Sequence, residues 1–329
     1  MVKKVIYISF ICKHHIGVRK KIEEQVNEWR NTGIEVLVVN DLCGYGAIIK
    51  YLYRYYTFIK FFLFRCSSDS FVYIRQTVSL PLFGVFSRLR KYSYEVNADI
   101  SKEASTLSIF QKILFLLFKD SLLKNADKVF FVTEELKSRY QNSSKFNYVF
   151  PNCLKKLGSK KKLPRGRDIV FVGNENQKWQ GVDIFYEFVK ALPMFNFHVV
   201  GNISRPLNFN CHNIVFHGIL DGTDYFNLMS EMDFAIGTLA FYRSGLSEGS
   251  ALKVRDYVAF DLPIVAGYFD TDFSASPFYL TVSTNPLDLD IEKIQDFFLQ
   301  WERKSIHDYL DKANFCKNRE SLRVQLICC

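Results

Sequence analysis

The densest grouping of chemistry-bearing side chains is RSGLSEGSALKVRDYVAFDLPI at 243–264. A polar loop runs there into an amphipathic segment that reads as a helix over about 248–259. The first-turn amides of a helix have no partners within it, and its positive dipole end favours a phosphate group. Glu248 and Asp256 stand eight positions apart. On one helix that spacing puts them about 80° apart around the axis and roughly 12 Å apart along it. Two acids so placed suit a sugar and a ribose, with a diphosphate between them. Ser247 and Glu248 fit an ordinary helix cap equally well, so the residues alone leave both readings open.

Alternating strand and helix patterns surround this segment and would position it. KVIYISF at 4–10, IEVLVVN at 34–40, FVYIR at 71–75, YSYEVN at 92–97 and DKVFFVT at 127–133 read as strands. Helical patterns separate them, the first over 18–33 with Ile22, Val26 and Trp29 on one face. PNCLKKLGSKKKLPRGR at 151–167 breaks the periodicity and reads as a solvated basic linker. The same grammar then restarts with RDIVFVG at 167–173, FNFHVVG at 195–201, HNIVFHG at 212–218, MDFAIGTL at 232–239 and LPIVAGY at 262–268. The pattern predicts an α/β protein of two Rossmann-like domains with parallel sheets facing an interdomain cleft, over 1–155 and 156–329.

Composition narrows the function classes. A chain of 329 residues has room for two domains of about 150, and 48% hydrophobic with 23% charged residues excludes wholesale disorder. The net charge of +9 suits an anionic partner, but the basic residues are scattered and no nucleic-acid motif is present, so no nucleic acid is expected. The eight cysteines show no metal-ligand spacing, so reduced, mostly buried thiols and no metal site are expected. The absence of a signal-peptide pattern points to the cytoplasm. Segments 47–65 and 107–124 mix bulky apolar residues with Lys and Arg, and read either as helices lying in a membrane interface or as helices packed on a sheet. The aromatic excess, 16% of the chain, is expected to serve a partner handled by the first half.

The 243–264 segment resembles the donor-binding motif of GT-B glycosyltransferases of the family 4 type, in which a Glu is followed eight positions later by a second acid. Here the pair is Glu248 and Asp256, with LKVRDY and an LPIV strand after it. IVFVGNENQKWQGVD at 169–183 is similar to the first strand and glycine-containing loop of that family's donor domain. YEVNAD at 94–99, FVTEELKSRY at 131–140 and VFPN at 149–152 are similar to its acceptor-domain and hinge elements. The resemblance implies retaining transfer from a nucleoside diphosphate sugar without a metal or other cofactor, to a glycan or lipid-linked hydroxyl acceptor. It assigns Glu248 to the donor sugar and the anomeric centre and Asp256 to the ribose. The diphosphate falls to Gly173, Asn174, Lys178, Arg243, Gly249, Ser250, Leu252 and Lys253, and Gly17 faces the donor across the cleft.

The chain departs from the pattern where the family carries an Arg and a Lys after the donor domain's first strand: Asn174 and Gln180 stand near those places, with Arg243 or Lys178 as substitutes. The tail CKNRESLRVQLICC does not read as the long closing helix of that fold. His14, His15, Glu95 and Asn97 are the candidate acceptor contacts, with His14 and His15 reading equally as an exposed loop pair. GYGAII at 44–49 lacks the third glycine of a dinucleotide fingerprint, and DTD at 270–272 reads as a turn in preference to a metal site. The expectation is a transferase in cell-surface polysaccharide or glycan assembly, cytoplasmic and peripheral to a membrane through 47–65 and 107–124. The alternatives are a sugar-nucleotide epimerase of the same fold or a non-catalytic nucleotide-sugar-binding subunit.

Overall fold

The computed structural model describes the chain except residues 1–3, 12–15, 43, 62–68, 77–90, 100–111, 114–120, 141–143, 155–156, 159–162, 208, 284–289, 312–313 and 329. The chain divides into two units, Met1–Pro151 with Cys316–Cys329, and Asn152–Phe315. The division therefore falls at 151/152, and the tail expected in the second domain joins the first.

In the first unit, strands β1 Lys4–Ile8, β2 Glu35–Val39, β3 Ser70–Arg75, β4 Tyr92–Val96, β5 Lys128–Phe131 and β6 Phe146–Val149 form one sheet in the order β2-β1-β3-β4-β5-β6. Every pairing is parallel. Parallel strands covered on both faces are apolar throughout, which is why FVYIR and KVFF are buried end to end. Helix α1, Ile16–Asn31, buries Ile22, Val26 and Trp29 as the periodicity predicts. Trp29 packs edge-on to Tyr73 at 4.9 Å between centroids.

The tail is a helix, Cys316–Cys328, which buries Val324 and Ile327 in the same core. It escapes a periodicity reading because its buried positions also include Glu320 and Arg323, charged residues held by partners far away in sequence. Residues 79–91 and most of 107–124, expected to be helical, lie outside the described residues.

In the second unit, β7 Asp168–Asn174, β8 Asn196–Asn202, β9 Ile214–Gly218, β10 Phe234–Ile236, β12 Ile264–Ala266 and β14 Tyr279–Thr281 form a second parallel sheet, ordered β14-β12-β10-β7-β8-β9. Two short strands, β11 Glu248–Gly249 and β13 Phe269–Asp270, pair separately. Phe171 stacks on Phe185 at 4.4 Å and Phe234 packs on Phe298 at 4.7 Å. Among the described residues, many of the aromatic side chains lie in the cores of both units, so the excess does not serve the first half alone.

Two expectations are corrected. Arg165, in the basic stretch expected to be solvated, is buried and donates to the carbonyls of Lys304 and Asp233. Cys153 and Cys316 are disulfide-bonded, so not every thiol is unpaired.

Candidate functional site

Open parallel sheets bind ligands beyond the carboxyl ends of their strands, at the point where the connections diverge. In the second unit that point lies between β7 and β10, because the chain leaves β7 toward β8 on one side and returns to β10 on the other. Tyr257, on the helix Leu252–Ala259, marks it: its hydroxyl accepts from Val172 N at 2.9 Å and donates to Ile236 O at 3.3 Å. The helix that carries Asp256 is thereby tied to the ends of both strands.

Gly173 and Gly201 lie side by side where β7 and β8 end. A Cβ at Gly201, whose φ is +117°, would stand 1.9 Å from the Gly173 carbonyl oxygen, so backbone alone fits there. In the following loop, Asn174 N donates to Gln180 Oε1 at 3.1 Å, and Asn174 Oδ1 accepts from Asn176 N at 3.0 Å. Gln180 is buried and shapes this loop. Lys178 is exposed at its edge.

The helix expected over 248–259 begins only at Leu252. Glu248 and Gly249 are extended and pair in parallel with Phe269 and Asp270, so the helical angle between the two acids does not apply. Neither Ser247 nor Glu248 caps the helix, since its N-cap is Ala251 and no side chain caps it. The first-turn amides of Leu252 and Lys253 thus have no acceptor within the helix and no capping side chain. Glu248 is half-buried just before them. Asp256 receives a long hydrogen bond from Tyr225, 3.4 Å, and Tyr225 is held well above its ordinary pKa by burial and then by that carboxylate.

Several expected diphosphate contacts have other occupations. Arg243 forms a two-pronged ion pair with Asp183 at 2.8 and 2.7 Å and donates to the Lys178 carbonyl at 3.1 Å. It therefore clips the 241–244 turn to the loop after β7, and Asp183 is held below its usual range chiefly by that hydrogen bond. The Ser250 hydroxyl accepts from Asn152 N at 2.8 Å. Gly249 lies against the Tyr268 and Phe241 rings, with no space for a side chain. Lys253 donates to Val172 O at 2.8 Å and lies over the Phe171 ring, and burial pushes its pKa down to about 7. Of the cations named from sequence, Lys253 stands closest to the divergence point. Asp270 and Asp272, the DTD pair, both bind the buried Arg255, Asp272 at 2.7 Å.

In the first unit, Gly17 lies exposed in the first turn of α1, and His14 and His15 lie outside the described residues. Glu95 does not reach outward as an acceptor contact would. It is fully buried, accepts from Tyr73 and from Arg323 at 2.7 Å each, and pairs with Lys21. Burial alone would raise its pKa, but Lys21, Arg323 and Arg75 hold it well below the ordinary carboxylate range. Asn97 is half-buried and lies 3.4 Å from Lys21 Nζ. Sequence reasoning missed Tyr225, Tyr257 and Arg255, whose partners Asp256, Val172 and Asp270 lie 31, 85 and 15 positions away.

Helix α2, Ala47–Ile59, leaves Ile48 77%, Leu52 65% and Tyr56 60% exposed, while Phe58 is buried. Among the described residues no helix is long and apolar enough to cross a membrane.

No protein-family model matches the chain, and no curated protein matches it in sequence. Solved structures do. The lipopolysaccharide outer core galactosyltransferase WaaB, in its apo form, aligns over 98% of this chain and 99% of its own with a TM-score of 0.62 at 8% identity. Alr3699/HepE from Anabaena, in complex with UDP, aligns over 99% and 97% with a TM-score of 0.56 at 12% identity. The GtfA/B complex gives a TM-score of 0.56 at 17% identity over 84% of this chain, which spans 60% of that chain's length. With two all-parallel six-stranded sheets, the chain has the two-domain, Rossmann-like fold of the GT-B glycosyltransferases.

Proposed function

We propose that the chain is a glycosyltransferase that moves a sugar from a nucleoside diphosphate sugar to a hydroxyl acceptor in cell-surface polysaccharide or glycan assembly. One observation carries the reading: Glu248 and Asp256 flank an uncapped helix N-terminus tied to the divergence point of the second sheet. In transfer, the bond from the anomeric carbon to the diphosphate oxygen breaks, a bond to the acceptor oxygen forms, and the acceptor hydroxyl loses its proton. Negative charge builds on the departing diphosphate, where the Leu252 and Lys253 amides and the Lys253 ammonium stabilise it. Glu248 positions the sugar and supports the positive anomeric centre, and Asp256, oriented by Tyr225, grips the ribose. The spacing of the two acids supports a family 4 type enzyme acting with retention.

A thermal-shift screen over UDP-, GDP-, ADP- and CMP-sugars tests this, since a ligand of the folded state raises the melting temperature. A UDP-sugar is the expected hit, because UDP occupies a structure of the same fold. If no nucleotide sugar binds, the reading is wrong.

Lys253 makes donor binding pH-dependent. Its ammonium is the form that attracts a diphosphate, and with a pKa of about 7 that form disappears as pH rises. Donor affinity is expected to fall by about tenfold between roughly pH 6.5 and 8.5. Lys253→Met should flatten the profile, as titration calorimetry across that range would show.

The acceptor in this reading is lipid-linked, met where α2 lies on a membrane. The exposed stripe Ile48, Leu52 and Tyr56 with Lys50 and Lys60 and no acid along the helix supports that contact. The protein is expected to float with anionic vesicles and to remain below with neutral ones. Ile48→Ser with Leu52→Ser should cut flotation severalfold, and equal flotation of that variant would remove the contact.

A further inference from the structure

We infer that the first unit holds a subsite for an oxyanion, a phosphate or carboxylate group of the acceptor, centred on Arg75; the word acceptor rests on the function proposed above. Arg75 is the last residue of β3, at its carboxyl end. The sheet order β2-β1-β3-β4-β5-β6 makes the chain leave β1 on one side for β2 and return on the other at β3. Arg75 therefore stands at the divergence point of this sheet, the place where ligands of such sheets bind.

Its surroundings lack what a buried guanidinium needs. The residue is 8% exposed and its Nε is buried without a hydrogen-bond partner among the described residues. The nearest carboxylate oxygen, Glu95 Oε1, is 3.6 Å away and is already bonded to Lys21. Arg323 hydrogen-bonds Glu95 and Tyr73, and its Nε, which like that of Arg75 has no hydrogen-bond partner among the described residues, lies 3.1 Å from Glu320 in an ion pair. Three cations thus share two carboxylates, and among the described residues Lys21 and Arg323 hydrogen-bond a carboxylate while Arg75 approaches one only at ion-pair distance.

A guanidinium buried with unmet donors costs free energy that an apolar side chain of similar length would not. Glu95 already accepts from Lys21, Tyr73, Arg323 and, at 3.4 Å, Gln25, and Arg75 Nη1 stays 3.6 Å from it. A two-oxygen anion matches the planar fork and cancels the surplus charge. A neutral sugar hydroxyl does only the first. Lys21, beside Arg75, is pushed down to about 8 by burial and, against Glu95, by Arg75 and Arg323, a field that an arriving anion relieves.

The test is thermal unfolding of the full chain, wild type and Arg75→Met, with inorganic phosphate, acetate or chloride at equal ionic strength and saturating UDP-sugar throughout. Phosphate or acetate is expected to raise the wild-type melting temperature by about 3 °C more than that of the variant, and the better anion identifies the group. Because each protein is read against its own chloride baseline, a stability change from the substitution does not hide the response. Arg75→Lys, which keeps the charge and loses the fork, should respond less than wild type. Equal anion responses in wild type and Arg75→Met overturn the subsite. The shift on adding UDP-sugar is recorded beforehand in matched chloride samples, so its absence would reject the donor reading separately.

Discussion

Glu248→Gln is expected to lower the transfer rate by about a thousandfold or more while leaving the melting temperature within about 1 °C. The substitution keeps the shape, removes the charge and turns one accepting oxygen into a donating NH2. Removing one group that faces charge developing in a transition state costs on the order of 10²–10³ in rate, and a carboxylate facing a cationic anomeric centre acts where little water screens it. Stability should hold because Glu248 sits in a two-residue strand, half-buried, and caps no helix. Transfer assays with the donor found in the thermal-shift screen, with donor affinity measured alongside, separate the outcomes. A fall in the rate of bound enzyme with donor affinity kept places Glu248 in the transition state. Full activity in a folded variant would refute its role and leave the uncapped helix as a binding feature only.

Glu95→Ala is expected to destabilise the first unit by about 3–5 kcal/mol, the usual effect of removing one partner of a buried ion pair. Lys21, Arg75 and Arg323 would remain buried with only Glu320 among the cluster's carboxylates. For a unit of this size the loss corresponds to a fall of about 10 °C in melting temperature. Donor binding, which depends on the second unit, should persist below the lowered transition. An acceptor contact would behave in the opposite way, leaving stability alone and raising only the acceptor KM. Because the folded Glu95 carboxyl lies well below its ordinary pKa, its contribution is complete above the unfolded value. It is lost as pH falls through the folded one. Wild type and variant should therefore converge in stability under strongly acidic conditions, as denaturant unfolding at a series of pH values would show.

Much of this architecture can be read directly from the residues. Strands buried on both faces in a parallel sheet must be continuous apolar runs, so KVIYISF, FVYIR and RDIVFVG announce β1, β3 and β7 to within a residue or two. The helix face Ile22, Val26 and Trp29 follows from a period of 3.6 in the same way. The spacing of Glu248 and Asp256, on which the proposed donor site rests, is likewise a local feature of the sequence.

Tertiary structure decided which polar groups are spoken for. Arg323 reaches Glu95 across 228 positions, Arg243 reaches Asp183 across 60, and Ser250 is held by Asn152 across 98. A charged or hydroxyl side chain has the same chemistry wherever the chain places it. Whether it meets a ligand or another side chain depends on which distant elements fold against it. That is why Glu95 and Arg243 read as ligand contacts in sequence and prove to be internal counter-charges. Arg75 reads as the end of a strand and proves to be a buried cation whose Nε has no hydrogen-bond partner among the described residues.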